Sequence, residues 1–441
     1  MDPRGPRFFL LHLLFASVQL CEIPGNHSNL IESLTKDLLR LTEDVSEEPN
    51  PSVYLGLRLS ANHSLERESR YFQRLWDVFQ PHPRRASTLN AVSFQEQPNT
   101  GLLALYLLAL RAACHNMETV DGRGLVTQLK LHLHKEKQQI GPEDSSRPIT
   151  SYYQYGLGVL ALCVHNKQVD AHVIRKLLNA EKHDKFKHDD KLSVDTEAMA
   201  GLAFFCLGKS TFYSQQLLED LGQAVQRVKQ KIFESWDENP DAFGNIYSSP
   251  LAVQFLIAEG TSKDKPECSR AVGALLESLE RGGFRNTLVG SQLLPALNGR
   301  SYVDIASMEC KVETGTGHLE VNSLPLEPGA TGQGVQSITV HLMVKRPPRR
   351  MLLYNGLLQV PLGSSLLDVL KAAERGLKPF TFETQQTLSG PLLTAVMGVK
   401  AQPGERHYWK LLRYPNTKLE QGIADYIPAD RESILLKFGP W

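Results

Sequence analysis

The chain has 441 residues, 48 basic and 48 acidic side chains, and a composition that is 41% hydrophobic and 22% charged. That is an ordinary globular balance, long enough for a sizeable core and two domains. Equal numbers of opposite charges argue against a dedicated nucleic-acid or membrane-surface binder.

Residues 1–20 have the pattern of a secretory signal peptide. Arg4 and Arg7 precede an apolar run, Phe8 to Val18, too short for a comfortable membrane span, and the small residues Ala16 and Ser17 suit cleavage between Ala16 and Cys21. The mature chain is expected to be soluble and extracellular. In that compartment Cys21, Cys114, Cys163, Cys206, Cys268 and Cys310 read as three disulfides, and with no C-x-x-C pair among them a structural zinc site is disfavoured. Six cysteines allow fifteen pairings, among which the residues alone do not choose. Asn26 and Asn62 each begin an N-glycosylation acceptor triplet.

Along the mature chain one pattern recurs. Tyr54–Leu59, Leu103–Leu110, Gly156–Leu162, Ala200–Phe205, Leu251–Ile257 and Ser291–Leu297 are apolar, helix-length segments rich in small residues. Their spacing of about 40 to 50 residues is the range in which self-similarity signals stacked helix pairs. Between them lie amphipathic stretches such as Gly124 to Gln139 and Leu217 to Phe233. Gly156, Gly158 and Ala161 weaken an isolated helix but permit close helix approach. Six such pairs can close into a ring, which avoids the polar caps an open solenoid needs. An α6/α6 toroid, or barrel, is expected over residues 21–310.

In a ring of this kind the inner helices point one end at a common mouth. The polar groups at their starts are Asn99 and Thr100, Thr150 to Gln154, Ser193 to Thr196, Asn245 to Ser248, and Ser291 with Gln292. Each start also reads as a helix N-cap, yet polar groups at five of them suggest a ligand site.

Beyond Cys310, residues 311–335 lack periodicity and are rich in Gly, Thr, Glu and Pro, as a linker is. Residues 336–441 read as a small α+β domain. Ser337 to Lys345 alternates as a half-buried strand, Asn355-Gly356 resembles a hairpin turn that splits Leu352 to Val360, and Ser364 or Ser365 caps a helix from Leu366 to Arg375. Further strand-like runs lie around Phe380 to Glu383, Tyr408 to Leu412 and Ile434 to Phe438. The fold class is therefore multidomain, α and α+β: an N-terminal toroid plus a small C-terminal β-rich domain, with a ligand cleft expected between them. No catalytic motif stands out. A glycan-active toroid enzyme is the alternative from a different class, but it needs two carboxylates facing one bond, whereas Asp195 and Glu197 do not share a helix face.

The segments Thr150–Gly158, Ser193–Ala203, Asn245–Leu251, Ser291–Pro295 and the tail Gln421–Tyr426 resemble the eukaryotic cobalamin transport proteins over essentially the whole mature chain. The resemblance implies a secreted, non-enzymatic vitamin B12 carrier, a monomer, with cobalamin held between toroid and β domain and a cell-surface receptor reading the joint surface. Carried over by position, it implies ligand contacts from Thr150, Ser151, Tyr152, Tyr153, Gln154, Ser193, Val194, Asp195, Thr196, Asn245, Ser248, Gln292, Trp409, Lys410 and Leu411. It also implies disulfides Cys21 to Cys268, Cys114 to Cys310 and Cys163 to Cys206. Three positions depart from the pattern. Leu192 stands where members of the family place a cobalt-ligating histidine, which leaves His188 or His183 in the preceding loop, Asn179 to Leu192, as replacement ligands. Leu102 stands where a glutamine contacts the ligand, and Lys410 lies within the Trp409 segment.

Overall fold

The computed structural model describes residues 27–45, 48–79, 99–141, 146–188, 191–238, 242–260, 266–282, 284, 287–308, 310, 337–346, 351–376, 379–387, 390–402, 407–419 and 421–440. The expected signal peptide, linker, Cys21 and Asn26 lie outside the described residues.

Helices α1 (Ser28–Glu43), α2 (Pro51–Arg58), α3 (Leu65–Phe79), α4 (Thr100–Ala112), α5 (Val120–Gln139), α6 (Tyr152–Val164), α7 (Ala171–Lys182), α8 (Val194–Gly208), α9 (Gln215–Glu238), α10 (Ser249–Glu259), α11 (Pro266–Glu280) and α12 (Thr287–Leu297) build the toroid. The even-numbered helices are apolar on every side, so they are stable only where other helices surround them. In α4, Leu103 through Leu110 are all buried. These helices contact one another in the order α2, α4, α6, α8, α10, α12 and back to α2. The odd-numbered helices form the outer layer and bury a single stripe, as α7 does with Val173, Ile174, Leu177 and Leu178. All six repeated segments lie on the inner ring.

The ring closes at a glycine. A Cβ on Gly56 of α2 would lie 2.6 Å from the Ser291 carbonyl oxygen of α12, so the last inner helix meets the first backbone to side. Disulfides brace the same layer. Cys163–Cys206 ties α6 to α8, and Cys114–Cys310 ties the end of α4 to the chain that follows a 3₁₀ segment, Tyr302–Ser307. That segment packs against α4, α6, α8 and α10. Cys268 is also disulfide-bonded.

One buried ionic cluster joins α7, α8 and α9. Lys231 Nζ lies 3.0 Å from Glu181, 2.8 Å from Asp184 and 3.1 Å from Glu197, and Arg227 forks onto Glu181 with its Nε and Nη2. Glu181 and Glu197 are fully buried, and Glu197 Oε2 has no hydrogen-bond partner among the described residues. Burial pushes the Glu197 carboxyl up to about 7 against the pull of Lys231, and Glu181 and Asp184 add to the rise.

The β-rich part has its own core. Strands β3 (Ser337–Arg346), β4 (Met351–Pro361), β8 (His407–Arg413), β9 (Thr417–Lys418) and β10 (Ser433–Pro440) form a sheet in the order β4-β3-β10-β8-β9, in which β3 and β10 are parallel. A second sheet has the order β5 (Phe382–Thr387), β6 (Gly390–Val396), β7 (Val399–Lys400). Ile338, Val340, Leu342 and Val344 alternate inward from β3 against α13 (Leu366–Glu374), which Ser365 and Asp368 close with a capping box. Asn355-Gly356 does not form the expected hairpin turn. Strand β4 runs through it, with Asn355 opposite Met343 and Gly356 opposite Leu342. The Tyr354 side chain occupies the space a Cβ on Gly356 would need, at 2.6 Å, so the glycine makes room for an aromatic ring inside a strand. The expected loop from Asn179 to Leu192 also carries regular structure. Asn179 to Lys182 finish α7, His183 is its C-cap, and β1 (Lys187–His188) pairs antiparallel with β2 (Lys191–Leu192).

Two stability tests follow from this packing. Gly56→Ala is expected to lower stability by about 1–3 kcal/mol through overpacking of the closing seam, read from the urea midpoint; an unchanged midpoint would mean the seam opens freely. Glu197 has a folded value above its ordinary 4.5, so its ionised form is penalised in the fold and the associated stability is lost as pH rises through about 7. Acidification from about pH 8 to pH 5 should therefore add about 2 kcal/mol through this group. Glu197→Gln should flatten that part of the pH profile of thermal unfolding, whereas an unaltered slope would place the titration elsewhere. The hydrogen bond from Lys231 holds Asp184 below its ordinary 3.8, so its stabilisation fades only at more acidic pH.

Candidate functional site

Each inner helix is preceded by an outer helix that returns the chain, so the inner helices run parallel and their N-termini share one end of the ring. Short polar side chains hold several of these starts in place. Asn99 accepts the Leu102 N–H at 2.9 Å and Ser151 accepts the Gln154 N–H at 3.2 Å. Ser193 and Ser248 depart from simple capping. The Ser193 hydroxyl donates to Asp195 Oδ1 at 2.7 Å and lies 2.8 Å from Thr196 Oγ1. Asn245 Oδ1 accepts the N–H groups of Tyr247 and Ser248 at 2.8 and 3.0 Å, while the Ser248 hydroxyl accepts the Asn245 N–H at 3.1 Å.

Neighbouring starts are linked directly. Gly101 N–H donates to Gln154 Oε1 at 3.3 Å, joining α4 to α6. Beneath that contact sits a group the sequence reading missed. Glu136 is 2% exposed, and its carboxylate accepts from the hydroxyls of Thr100 and Thr150, both at 2.7 Å, and from the Thr150 N–H at 3.0 Å. It reaches the mouth from the outer helix α5. In sequence it stands between Lys135 and Lys137, where a solvated face is the natural reading.

The lumen itself is spanned. Gln292 Nε2 of α12 donates to Tyr153 Oη of α6 at 3.2 Å, and these two helices stand opposite each other in the ring. Burial holds the Tyr153 hydroxyl well above the ordinary tyrosine range, and Tyr302 and Asp195 raise it further while Gln292 opposes them. Tyr153 therefore stays protonated, with a proton to donate and lone pairs to accept. Gln292 was expected at a helix start with Ser291, but α12 begins at Thr287 and both residues lie in its second turn. Ser291 is fully buried at the Gly56 seam, and Gln292 alone of the two reaches the lumen.

The remaining expected positions divide between mouth and core. Tyr152 is buried against the Phe186 ring, 5.2 Å between centroids, and so braces the segment leading to α8. Val194 is buried beside Gly244. Leu192 is partly buried on the helical core, and the His188 backbone pairs with Lys191 in the hairpin before α8. Leu102 is half-buried in the first turn of α4. In the β-rich part Trp409 is a core residue, 5% exposed, whose indole N–H donates to the Val399 carbonyl at 3.0 Å. Lys410 and Leu411 beside it are half-buried. Contact with the mouth runs through the tail, where Gln421 Nε2 donates to Tyr247 Oη and Asp425 raises the pKa of that same hydroxyl behind the larger effect of burial.

Comparison with known proteins bears on this arrangement. A family model described as eukaryotic cobalamin-binding protein matches residues 6–330. Transcobalamin-2 of Homo sapiens is 42% identical over 457 residues, 99% of each chain, and that of Bos taurus is 42% identical over 448 residues, 100% of each. Cobalamin binding intrinsic factor of Homo sapiens is 26% identical over 443 residues, 98% of each chain. Among solved structures, haptocorrin in complex with Cbi matches with a TM-score of 0.71 at 21% identity, covering 96% of this chain and 100% of that one, which establishes a shared fold. With a family model over most of the helical part and relatives that align from end to end, the chain belongs to the eukaryotic cobalamin-binding protein family.

Proposed function

We propose that the chain is a secreted carrier of cobalamin, which it holds at the toroid mouth beneath the β-rich part and delivers to cells by receptor-mediated uptake. The observation that carries the reading is the convergence of Tyr153, Gln154, Asp195 and Gln292 at one end of the ring, with the β-rich tail hydrogen-bonded to the same rim through Gln421 and Tyr247. Cobalamin is rimmed by amides, and amides need paired donors and acceptors. Tyr153, Gln154, Asp195, Thr196, Asn245, Ser248 and Gln292 supply both kinds. Thr150, Ser151 and Ser193 complete the rim, and Tyr152 and Val194 back it from the core. Lys410 and Leu411, carried on the strand that Trp409 anchors, would close over the ligand from the β side.

Uptake would require a receptor that reads both parts together, so that loaded carrier is preferred over empty carrier. No helix among the described residues is long and apolar enough to cross a membrane. A glycan-active enzyme finds no support in the family assignment, and the Asp195 carboxylate is engaged with the Ser193 hydroxyl at the rim.

His188 is the cobalt ligand we assign in place of the residue at 192, by rearrangement of the hairpin that carries it. A ligand with on the order of a hundred non-hydrogen atoms, at about 0.3 kcal/mol each, already exceeds the practical ceiling near 20 kcal/mol, so one axial bond is dispensable for retention. Titration of the secreted protein with cyanocobalamin and with aquocobalamin, followed by visible absorption, tests the assignment. Both forms should bind, and aquocobalamin alone should show the change expected when imidazole replaces water. His188→Ala should abolish that change and leave cyanocobalamin binding intact. A chain that binds neither form is not a carrier.

A further inference from the structure

The face of the five-stranded sheet that turns away from α13 carries a row of positive charge. Val344 of β3, Ile434 and Leu436 of β10, and Trp409 with Leu411 of β8 belong to the core that α13 covers, while Met343, Leu435 and Leu412 cluster on the other face. Lys345, Lys437 and Lys410 stand two residues from Met343, Leu435 and Leu412 respectively, so strand alternation puts all three on that other face. They are also in register. Lys437 of β10 is paired with Lys345 of β3 on one side and with Lys410 of β8 on the other, which sets neighbouring lysines about 5 Å apart at the backbone. Like charges directly opposite one another destabilise a sheet, and lysine is a poor strand former. Lysines on edge strands keep other chains from pairing, but β3, β10 and β8 are the three inner strands, so that reading does not apply.

None of the three lysines has a carboxylate partner among the described residues. Glu432, just before β10, is taken by Arg413 and the Tyr426 hydroxyl. The Lys345 ammonium lies 5.6 Å from the centre of the Tyr414 ring, a contact that leaves its charge in place. The row starts beside the toroid rim. The Leu419 N–H donates to the Leu411 carbonyl at 3.0 Å, and two residues further on Gln421 reaches Tyr247, so the tail that docks on the mouth runs alongside the Lys410 stretch of β8. Cobalamin carries a permanent anion of its own, the phosphodiester that joins its nucleotide to a corrin side chain, and lysine binds phosphate as a point charge. We propose that Lys410, Lys437 and Lys345 form the site for that phosphodiester, with Lys410 meeting it from the rim side and the other two raising the positive potential behind it. The inference deepens the carrier reading above and rests on it.

The test compares the unmodified full chain with two double variants, Lys345→Gln with Lys437→Gln and Lys345→Arg with Lys437→Arg. Release of radiolabelled cyanocobalamin is timed against an unlabelled chase at about 0.05 M and about 1 M salt. Cobinamide, which lacks the nucleotide and its phosphodiester, is titrated as a competitor. Loss of the two charges should speed release about tenfold at the lower salt. It should leave release unchanged at the higher salt, where charges more than about 3 Å apart are screened. The excess of cobinamide that displaces half of the label should fall by the same factor, because cobinamide has no phosphate contact to lose. The arginine pair keeps both charges and should match the unmodified chain. Unaltered release from the glutamine pair at both salts would overturn the proposal, as would equal weakening of both ligands, which marks a general defect of the sheet. Weaker retention on immobilised heparin with unaltered cyanocobalamin release would assign the row to a sulfated polymer instead. If the unmodified chain fails to bind cyanocobalamin, the carrier reading fails and this inference with it; binding with equal release rates removes only the role of the lysine row.

Discussion

Closure of the inner helical ring is the constraint on which the rest of the structure depends. Helices as apolar as α4, α6, α8 and α10 bury nearly every residue, so none of them tolerates a free side. An open stack would leave α2 and α12 exposed along their length. Gly56 resolves this by letting α12 approach to backbone distance, and the outer helices then need only one apolar stripe each to cover the ring. Once the ring is closed, polar groups lie at its two ends or in buried clusters within, such as that of Lys231 with Glu181 and Glu197.

That confinement explains why the polar residues of the chain are so economically used. Glu136, Gln254 and Gln292 are buried or face the lumen, and each accepts or donates at more than one point. Glu136 binds together the starts of α4 and α6 through two threonines, so a residue of the outer layer sets the shape of the inner rim. The Tyr153–Gln292 bond crosses the ring between opposite helices and gives the mouth a polar floor. Below that floor the interior is packed core, crossed by the buried Gln254 side chain, which accepts the Tyr302 N–H and donates to the Gln292 carbonyl.

Much of this was legible in the sequence because the ring advertises itself. Small residues within apolar segments, recurring at a steady interval, marked all six inner helices, and the alternation in Ser337 to Lys345 marked β3. The failures have specific causes. Asn355-Gly356 has the composition of a turn, but the glycine serves a cross-packed Tyr354 ring, a contact that local propensity does not encode. Strand β6 was missed because Pro391 near its start lowers the expectation of a strand, although proline is tolerated at that position. Ser291 and Gln292 were placed at a helix start because polar residues there resemble caps, whereas α12 had already begun. Glu136 was invisible for a different reason. Its partners lie 14 and 36 residues away in the chain, and only the closed ring brings them to its carboxylate.

The mouth is a set of groups that already satisfy one another. Ser193 engages Asp195 and Thr196, Asn245 engages Ser248, Gln154 engages the Gly101 N–H, and Gln292 engages Tyr153. A polar ligand entering such a site must exchange hydrogen bonds rather than simply add them, and each exchange is nearly neutral when donors and acceptors match. The favourable term then comes from the apolar area removed from water, and the polar rim acts through the penalty for mismatch, since a ligand lacking one amide would leave a rim group broken from its old partner and unpaired with a new one. On this account affinity and discrimination have separate sources in the fold. With a ligand seated as proposed, the closed ring and the β-rich part would provide the first by excluding solvent, and the self-satisfied rim would provide the second.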